Sequence, residues 1–507
     1  MPTVPDPSRT SSPATVVIFA SLLLLSLPAC TGTPEDVARE ETPLLTGYNV
    51  IIVNIDSLRA DHLGCYGYLR NTSPFMDRLA AEGVVFEQAL SNSSFTRESV
   101  ATLLTGRLPT SGGSLGWGAA PSSAQPTLGR LFLSAGYRTG FFSNTVMLAG
   151  PRFTQGFEEV QHLPERWGMS GMGFDLSARA SEFLERHADE KFLLYLHYLD
   201  PHGPYEPPEA NYLALAPSIY PDPLHVYSGL RESLTGLLTE GFGPGDVRFD
   251  DLVTRYDAEI LDTDQAIEAL FSTLERLDLH QRTLIVITAD HGEEFLEHQF
   301  LEHAWTLYQE SLHIPLILWA PGKLAPRRVT ALASGVDLLP TLLELVGISH
   351  DGLQLDGVPV LDTDGNVKPP PPGEGPFVAE LMIRERIMQR TAIRGDWKYM
   401  ASYRWLAPEA RPDAAGIEQE LRDQGYERPM LPWGPVIREE LYNLAEDPAE
   451  QNDLVGAHPD RLREMRKALD SYRLYCERHG LGTEDAADND RPLTPAEEER
   501  LRALGYL

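Results

Sequence analysis

Four short, unbroken apolar runs punctuate the chain: "YNVIIVNID" (48–56), "KFLLYLHYLD" (191–200), "RTLIVITAD" (282–290) and "HIPLILWAPG" (313–322). Such runs read as strands buried on both faces. Between them the apolar positions recur at helical spacing: 72–83, 175–190, 251–277 and, after the fourth run, 336–348. Strands alternating with helices predict an α/β fold, a mostly parallel sheet flanked by helices. "VKPPPPGEGP" (367–376) breaks the pattern. Shorter runs follow, "QRTAIRGDWKYMAS" and "REELYNLAEDP", and suggest a small antiparallel sheet. A closing helix is expected over 457–480, then an acidic linker (481–492). A terminal helix follows, with Thr494 as N-cap and Pro495 in its first turn. No internal repeat is visible.

The first 46 residues follow other rules. Arg9 precedes "VVIFASLLLLSLPAC", an apolar stretch too short for a comfortable membrane span and ending in small residues. Leu27-Pro28-Ala29-Cys30 resembles a bacterial lipobox. The expectation is therefore a lipoprotein signal peptide over 1–29, a lipid anchor at Cys30 and a polar tether over 30–46. The alternatives are a signal peptide with an incidental cysteine, or an uncleaved anchor. This places the protein in the bacterial cell envelope, lipid-anchored, periplasmic or extracellular. The remaining divisions are a main domain (47–368), a smaller C-terminal α+β subdomain (376–480) and the linker with its helix (481–507).

Composition narrows the chemistry. The 507 residues are 42% hydrophobic, enough for a sizeable core. The net charge of −32 excludes non-specific nucleic-acid binding. An anionic substrate would need local cations to overcome that field, and a metal ion is the obvious source. With three cysteines (Cys30, Cys65 and Cys476) there is neither a disulfide framework nor a Cys-rich zinc site. Cys65 and Cys476 read as buried thiols, with a pairing as the alternative.

Ligands of open α/β sheets bind beyond the carboxyl ends of the strands. The first run ends in Asp56, followed by Ser57, Arg59, Asp61 and His62. The second ends in Asp200-Pro201-His202-Gly203-Pro204-Tyr205. The third ends in Asp290-His291-Gly292-Glu293-Glu294, with His298 and His303 beyond. Singly, an Asp after a strand is usually a cap or turn residue. Three such clusters on one edge point to a site for one divalent ion, Ca²⁺, Mg²⁺, Mn²⁺ or Zn²⁺. Such an ion would neutralise an anionic ester and acidify a hydroxyl nucleophile. His202 and His303 are candidates for anion binding or general acid–base work. His197, inside an apolar strand, reads as a core residue, and His298 is left open.

These strings together, with "GYRTGFFSN", "LLTGRLPT", "TLYQESLHIPLILWAPG", "VDLLPTLLELVGI" and "ELYNLAEDPAEQNDL", resemble the sulfatase family of the alkaline phosphatase superfamily, in order from about 48 to 454. The resemblance implies a metal-dependent hydrolase or transferase of sulfate, phosphate or phosphonate esters. It also implies a large α/β domain followed by a smaller one. It places Asp56, Asp290 and His291 at metal positions and His202 at a histidine after "DP". His303 falls where a Lys or His contacts the anion. Where the family often has two adjacent acids this chain has Asp56-Ser57, which weakens the case for Ca²⁺.

The main departure lies in "SNSSFTRESVATLLTGRLPT" (91–110). Sulfatases carry Cys-x-Pro-Ser-Arg there, with the Cys (or a Ser) oxidised to formylglycine. Alignment puts Thr96 on the Cys, Glu98 on the Pro, Ser99 on the Ser and Val100 on the Arg. Thr96 is not convertible to formylglycine by that route. Ser143-Asn144-Thr145-Val146 stands where Gly-Lys-Trp-His often follows "GYRT", so two further cations are missing. Arg59 and Arg97 are the candidates to replace the lost arginine in part. A threonine oxygen at a helix N-terminus beside a metal suits attack on phosphorus. Thr96 is thus expected as nucleophile and metal contact, Ser93 and Ser94 as turn residues, Ser99 on the helix face. Without catalysis, Thr96 would be a plain N-cap. The reading is an ester hydrolase acting on phosphate, phosphonate or sulfate esters through Thr96. A sulfatase without formylglycine, an envelope phosphotransferase and a non-catalytic binding lipoprotein are the alternatives.

Overall fold

The computed structural model describes residues 42–118, 120–163, 172–216, 240–369, 375–383, 386–404 and 436–480. The leader, Cys30, the tether up to residue 41, the acidic linker and the terminal helix lie outside the described residues, as does the centre of the proline-rich break (370–374).

The main sheet has eight strands: β1 (Asn49–Ile55), β2 (Val84–Phe86), β3 (Arg138–Ser143), β4 (Glu159–His162), β5 (Phe192–Tyr198), β6 (Thr283–Ala289), β7 (Leu316–Trp319) and β8 (Arg327–Val329). Their order is β8-β2-β7-β6-β1-β5-β3-β4. Neighbours are parallel except β7, which runs antiparallel to both β6 and β2. Every residue of β1, β5 and β6 is buried, which is why these three segments are predominantly apolar. Their register aligns Ile52 with Tyr195 on one side and Val286 on the other. The carboxyl ends of the three strands therefore finish level, and Asp56, Asp200 and Asp290 leave the sheet at one edge.

The helices that bear on the site are α1 (Pro74–Glu82), α2 (Thr96–Thr105), α3 (Met172–Arg186), α4 (Val247–Arg276) and α5 (Leu338–Val346). The longest, α4, starts where Asp246 accepts the Arg248 N–H at 2.8 Å, an N-cap bond. α1 is tied to α4 by Asp264, whose carboxylate accepts the Phe75 and Met76 N–H groups at 2.9 and 2.8 Å. Among the described residues, no helix is long and apolar enough to cross a membrane.

A second sheet follows the proline-rich break, antiparallel as its shorter runs suggested: β9 (Phe377–Ile383), β10 (Ile387–Arg394), β11 (Trp397–Arg404) and β12 (Val436–Asn443). The closing helix α6 (Pro459–His479) packs Met465, Leu469 and Tyr472 into one apolar cluster with Met388 and Ala401. Buried polar contacts tie the second sheet to the helical turn that follows α2. Glu380 receives Arg390 Nε at 2.5 Å and the Thr110 N–H at 2.8 Å. Cys65 and Cys476 are both free thiols; Cys476 is buried and Cys65 half-buried.

Candidate active site

The site starts from two buried carboxylates. Asp56, just past β1, has its N–H on the Tyr198 carbonyl (2.9 Å) and its Oδ2 on His197 Nε2 (3.1 Å). Asn54 presents its amide nitrogen to His197 Nδ1 at 2.9 Å, so Nδ1 accepts and Nε2 carries the hydrogen that Asp56 receives. The other oxygen, Oδ1, accepts the Ser57 hydroxyl at 3.1 Å. Asp290 Oδ1 accepts the N–H groups of Ser57 (3.2 Å) and His291 (2.9 Å). Its Oδ2 is fully buried and has no hydrogen-bond partner among the described residues. His291 Nδ1 donates to the Gly292 carbonyl at 2.9 Å, which turns the Nε2 lone pair inward. That lone pair lies 3.5 Å from Asp290 Oδ2, 3.7 Å from Asp56 Oδ1 and 3.2 Å from Thr96 Oγ1.

This arrangement repels itself. Burial pushes Asp290 well above the ordinary carboxylate range, and the nearby charge of Asp56 adds to it. Burial likewise lowers His291, keeping its lone pair available. Burial would also raise Asp56, but the His197 hydrogen bond and the surrounding histidines bring it down to about 2. One oxygen from each carboxylate and one ring nitrogen all lie within 4.8 Å of one another. An orphaned carboxylate oxygen facing an imidazole lone pair fits a divalent cation, and the mixed O/N donor set is typical of Zn²⁺ or Mn²⁺ sites. Ser57, at φ 59°, directs its backbone and side-chain hydrogens at the two carboxylates rather than adding a further acid.

Thr96 opens α2 but does not cap it. The N-cap is Phe95, in extended conformation and with no side-chain cap bond, so the N-cap role considered for Thr96 falls to its neighbour. Four serines fix the approach. Ser99 Oγ donates to the Asp290 carbonyl at 2.6 Å, and Ser91 Oγ donates to that same carbonyl. Ser94 Oγ donates to the Thr306 carbonyl at 2.7 Å. Ser93 Oγ donates to Glu98 Oε2 at 2.6 Å, and Glu98 Oε1 takes the Gly116 N–H at 2.8 Å. Thr96 is thereby held against His291 at the positive end of the helix.

His202 and His303 complete the group. The rings of His303 and His291 are 4.3 Å apart, those of His303 and His202 4.8 Å. The remaining candidates do other work. Arg59 gives both edges of its guanidinium to Asp61 (2.9 and 2.8 Å), the Glu293 carbonyl (3.0 Å) and Glu297 (2.5 Å). Arg97 donates to the Met147 carbonyl at 2.8 Å and lies over the Phe153 ring. Asp200, raised to about 7 by burial and then by Asp262, has that α4 carboxylate as its charged neighbour. His298 bridges Glu310 and the Glu450 carbonyl. His197, read from sequence as a core residue, is buried but orients Asp56. Its signal was a polar pair, Asn54 and His197, in register on adjacent apolar strands. Glu293 and Tyr205 carried no signal of their own.

Comparison with known proteins gives the family. The sulfatase family model matches residues 48–348, and the chain belongs to the sulfatase family, hydrolases of the alkaline phosphatase superfamily. Human arylsulfatase A is 27% identical over 343 residues, covering 61% of this chain and 66% of that protein. N-acetylglucosamine-6-O-sulfatase of Bacteroides thetaiotaomicron is 22% identical, covering 91% and 90%. Among solved structures, the phosphonate monoester hydrolase of Agrobacterium radiobacter superposes with a TM-score of 0.63 at 18% identity, covering 85% and 96%. A protein solved with its substrate D-glucosamine-2-N,6-O-disulfate superposes at 0.67 and 18%, covering 86% and 99%. These likenesses establish a shared fold.

Proposed function

We propose that this protein is a metal-dependent ester hydrolase that uses Thr96 as its nucleophile and prefers phosphate or phosphonate esters. The observation that carries the reading is the Thr96 hydroxyl oxygen, buried at the start of α2 and 3.2 Å from His291 Nε2 beside Asp56 and Asp290. Asp56, Asp290, His291 and Thr96 would hold one divalent ion. When bound, that ion lowers the pKa of a hydroxyl and offsets the charge of the ester. Thr96 Oγ1, its proton passed to water, attacks the central phosphorus, and the bond to the leaving oxygen breaks. His202 or His303 gives the leaving oxygen its proton. Water then attacks the threonine ester, its P–Oγ bond breaks, and the free hydroxyl returns. The test is a screen of the purified, metal-loaded protein against aryl sulfate, phosphate monoester, phosphodiester and phosphonate monoester substrates. Turnover that survives Thr96→Ala refutes the nucleophile, and no turnover of any ester favours a binding protein.

Sulfate-ester hydrolysis is the second reading, favoured by relatives whose names are those of sulfatases. We also propose anchoring through a lipid on Cys30 at the cell envelope. Cys30→Ser should release the protein from membranes in fractionation, and continued membrane association would refute the anchor.

A further inference from the structure

We infer that Glu293 is a positioning residue that fixes which nitrogen of His303 serves the reaction. This rests on the ester-hydrolase reading above. The three histidines of the site differ in what holds Nδ1. His202 and His291 each give Nδ1–H to the carbonyl of the following glycine, at 2.6 and 2.9 Å. His303 Nδ1 instead lies 3.0 Å from a carboxylate oxygen, Glu293 Oε1. Its other neighbour, Ser57 Oγ at 3.3 Å, already donates its hydrogen to Asp56 and therefore serves Nδ1 only as an acceptor. Both contacts demand a hydrogen on Nδ1, so Nε2 is the nitrogen through which the ring acts.

Glu293 is itself fully buried and locked from its other side. Its Oε2 accepts the Tyr205 hydroxyl at 3.0 Å, and Tyr205 is three residues beyond His202. One carboxylate thus ties the loop that carries His202, the loop that carries Asp290 and His291, and the turn that carries His303. The turn needs such a tie, because Glu302 and Ala304 on either side of His303 have φ of 65° and 62°, where L-residues are strained. A carboxylate on the far nitrogen fixes both the hydrogen position and the orientation of a functional histidine.

The test combines a spectroscopic and a kinetic measurement. In the wild type, the His303 Nδ1 proton should resonate far downfield, identified by its loss in His303→Gln. It should be lost in Glu293→Ala and retained in Glu293→Gln, whose amide oxygen still accepts. On the best aryl ester, Glu293→Ala should lower kcat by about 10- to 100-fold with little change in KM. Glu293→Gln should recover most of that loss. Absence of the downfield proton in the wild type, or a folded Glu293→Ala with kcat within about twofold, overturns the inference. If Glu293→Ala fails to fold, the wild-type resonance and Glu293→Gln decide. If no ester is turned over by any form, the hydrolase reading fails, while the resonance still tests the Glu293–His303 bond.

Discussion

Thr96 Oγ1 stands 3.2 Å from His291 Nε2, although one residue opens a helix and the other follows a buried strand. The bonds from Ser91 and Ser99 to the Asp290 carbonyl hold the two elements at that distance. Thr96→Ala removes the hydroxyl and leaves those bonds in place. It should therefore lower kcat by at least about three orders of magnitude, as loss of a nucleophile does. Its Tm should stay within a few degrees of wild type. Thr96→Ser should keep measurable turnover. Near-wild-type rates in Thr96→Ala would remove Thr96 from the mechanism.

The orphaned Asp290 Oδ2, facing His291 Nε2 at 3.5 Å, makes a second prediction. One equivalent of a divalent ion should be found by elemental analysis, and its removal with a chelator should lower both Tm and activity, because a bound ligand stabilises the fold by mass action. Asp290→Asn should weaken binding at least about tenfold in a calorimetric titration, since a neutral amide is a poorer ligand for a dication. Two equally tight equivalents, or an affinity unchanged in Asp290→Asn, would contradict the site.

His298 links the pH dependence of stability to the joint between the two sheets. Its Nδ1 lies 2.6 Å from Glu310 and its Nε2 3.1 Å from the Glu450 carbonyl, while the ring stacks on Tyr308. Burial alone would lower its pKa, but the hydrogen bond and charge of Glu310, helped by Glu450, leave it raised. A raised folded-state pKa means that the charged ring stabilises the fold fully below the unfolded value of about 6.5. The contribution is lost as pH rises through the folded pKa. The Tm gap between wild type and His298→Gln should therefore be widest near pH 6 and narrow toward alkaline pH. A gap that widens with pH would refute the charged pairing.

The buried strands were legible because burial on both faces leaves few polar positions to confuse the pattern; the run 48–56 became Asn49–Ile55. The short strands Val84–Phe86 and Arg327–Val329 were not, since three residues carry no periodicity and are held by their neighbours. In Arg138–Ser143 the apolar run is diluted by Gly140, where a Cβ would meet Leu194 Cδ1 at 2.8 Å. Asp56, Asp290 and His291 were legible as strand-end residues on one edge. His197 was not, because its role depends on register against Asn54 and on the turn at Asp56. Glu293 and Tyr205 acquire a role only where three loops converge, a contact that local spacing does not encode.

The choice between phosphorus and sulfur follows from where the cations are. Val100, aligned with the family arginine, is fully buried, and Asn144 replaces a lysine, its Oδ1 taken by the Leu199 N–H at 2.8 Å. Arg59 is held by Asp61 and Glu297, and Arg97 is anchored on the Met147 carbonyl. Among the described residues little fixed positive charge is thus placed at the site, and a bound divalent ion would be the main counter-charge. A phosphoryl group carries more negative charge than a sulfuryl group and gains more from that ion. We therefore expect kcat/KM for an aryl phosphate monoester to exceed that for the matched aryl sulfate by at least about tenfold, a difference of about 1.4 kcal/mol in transition-state stabilisation. Co-expression with a formylglycine-generating enzyme should change neither rate, because position 96 offers no oxidisable Cys or Ser. A clear preference for the sulfate ester would refute the phosphoryl reading. It would mean that His202, His303 and the metal alone form a competent sulfate pocket.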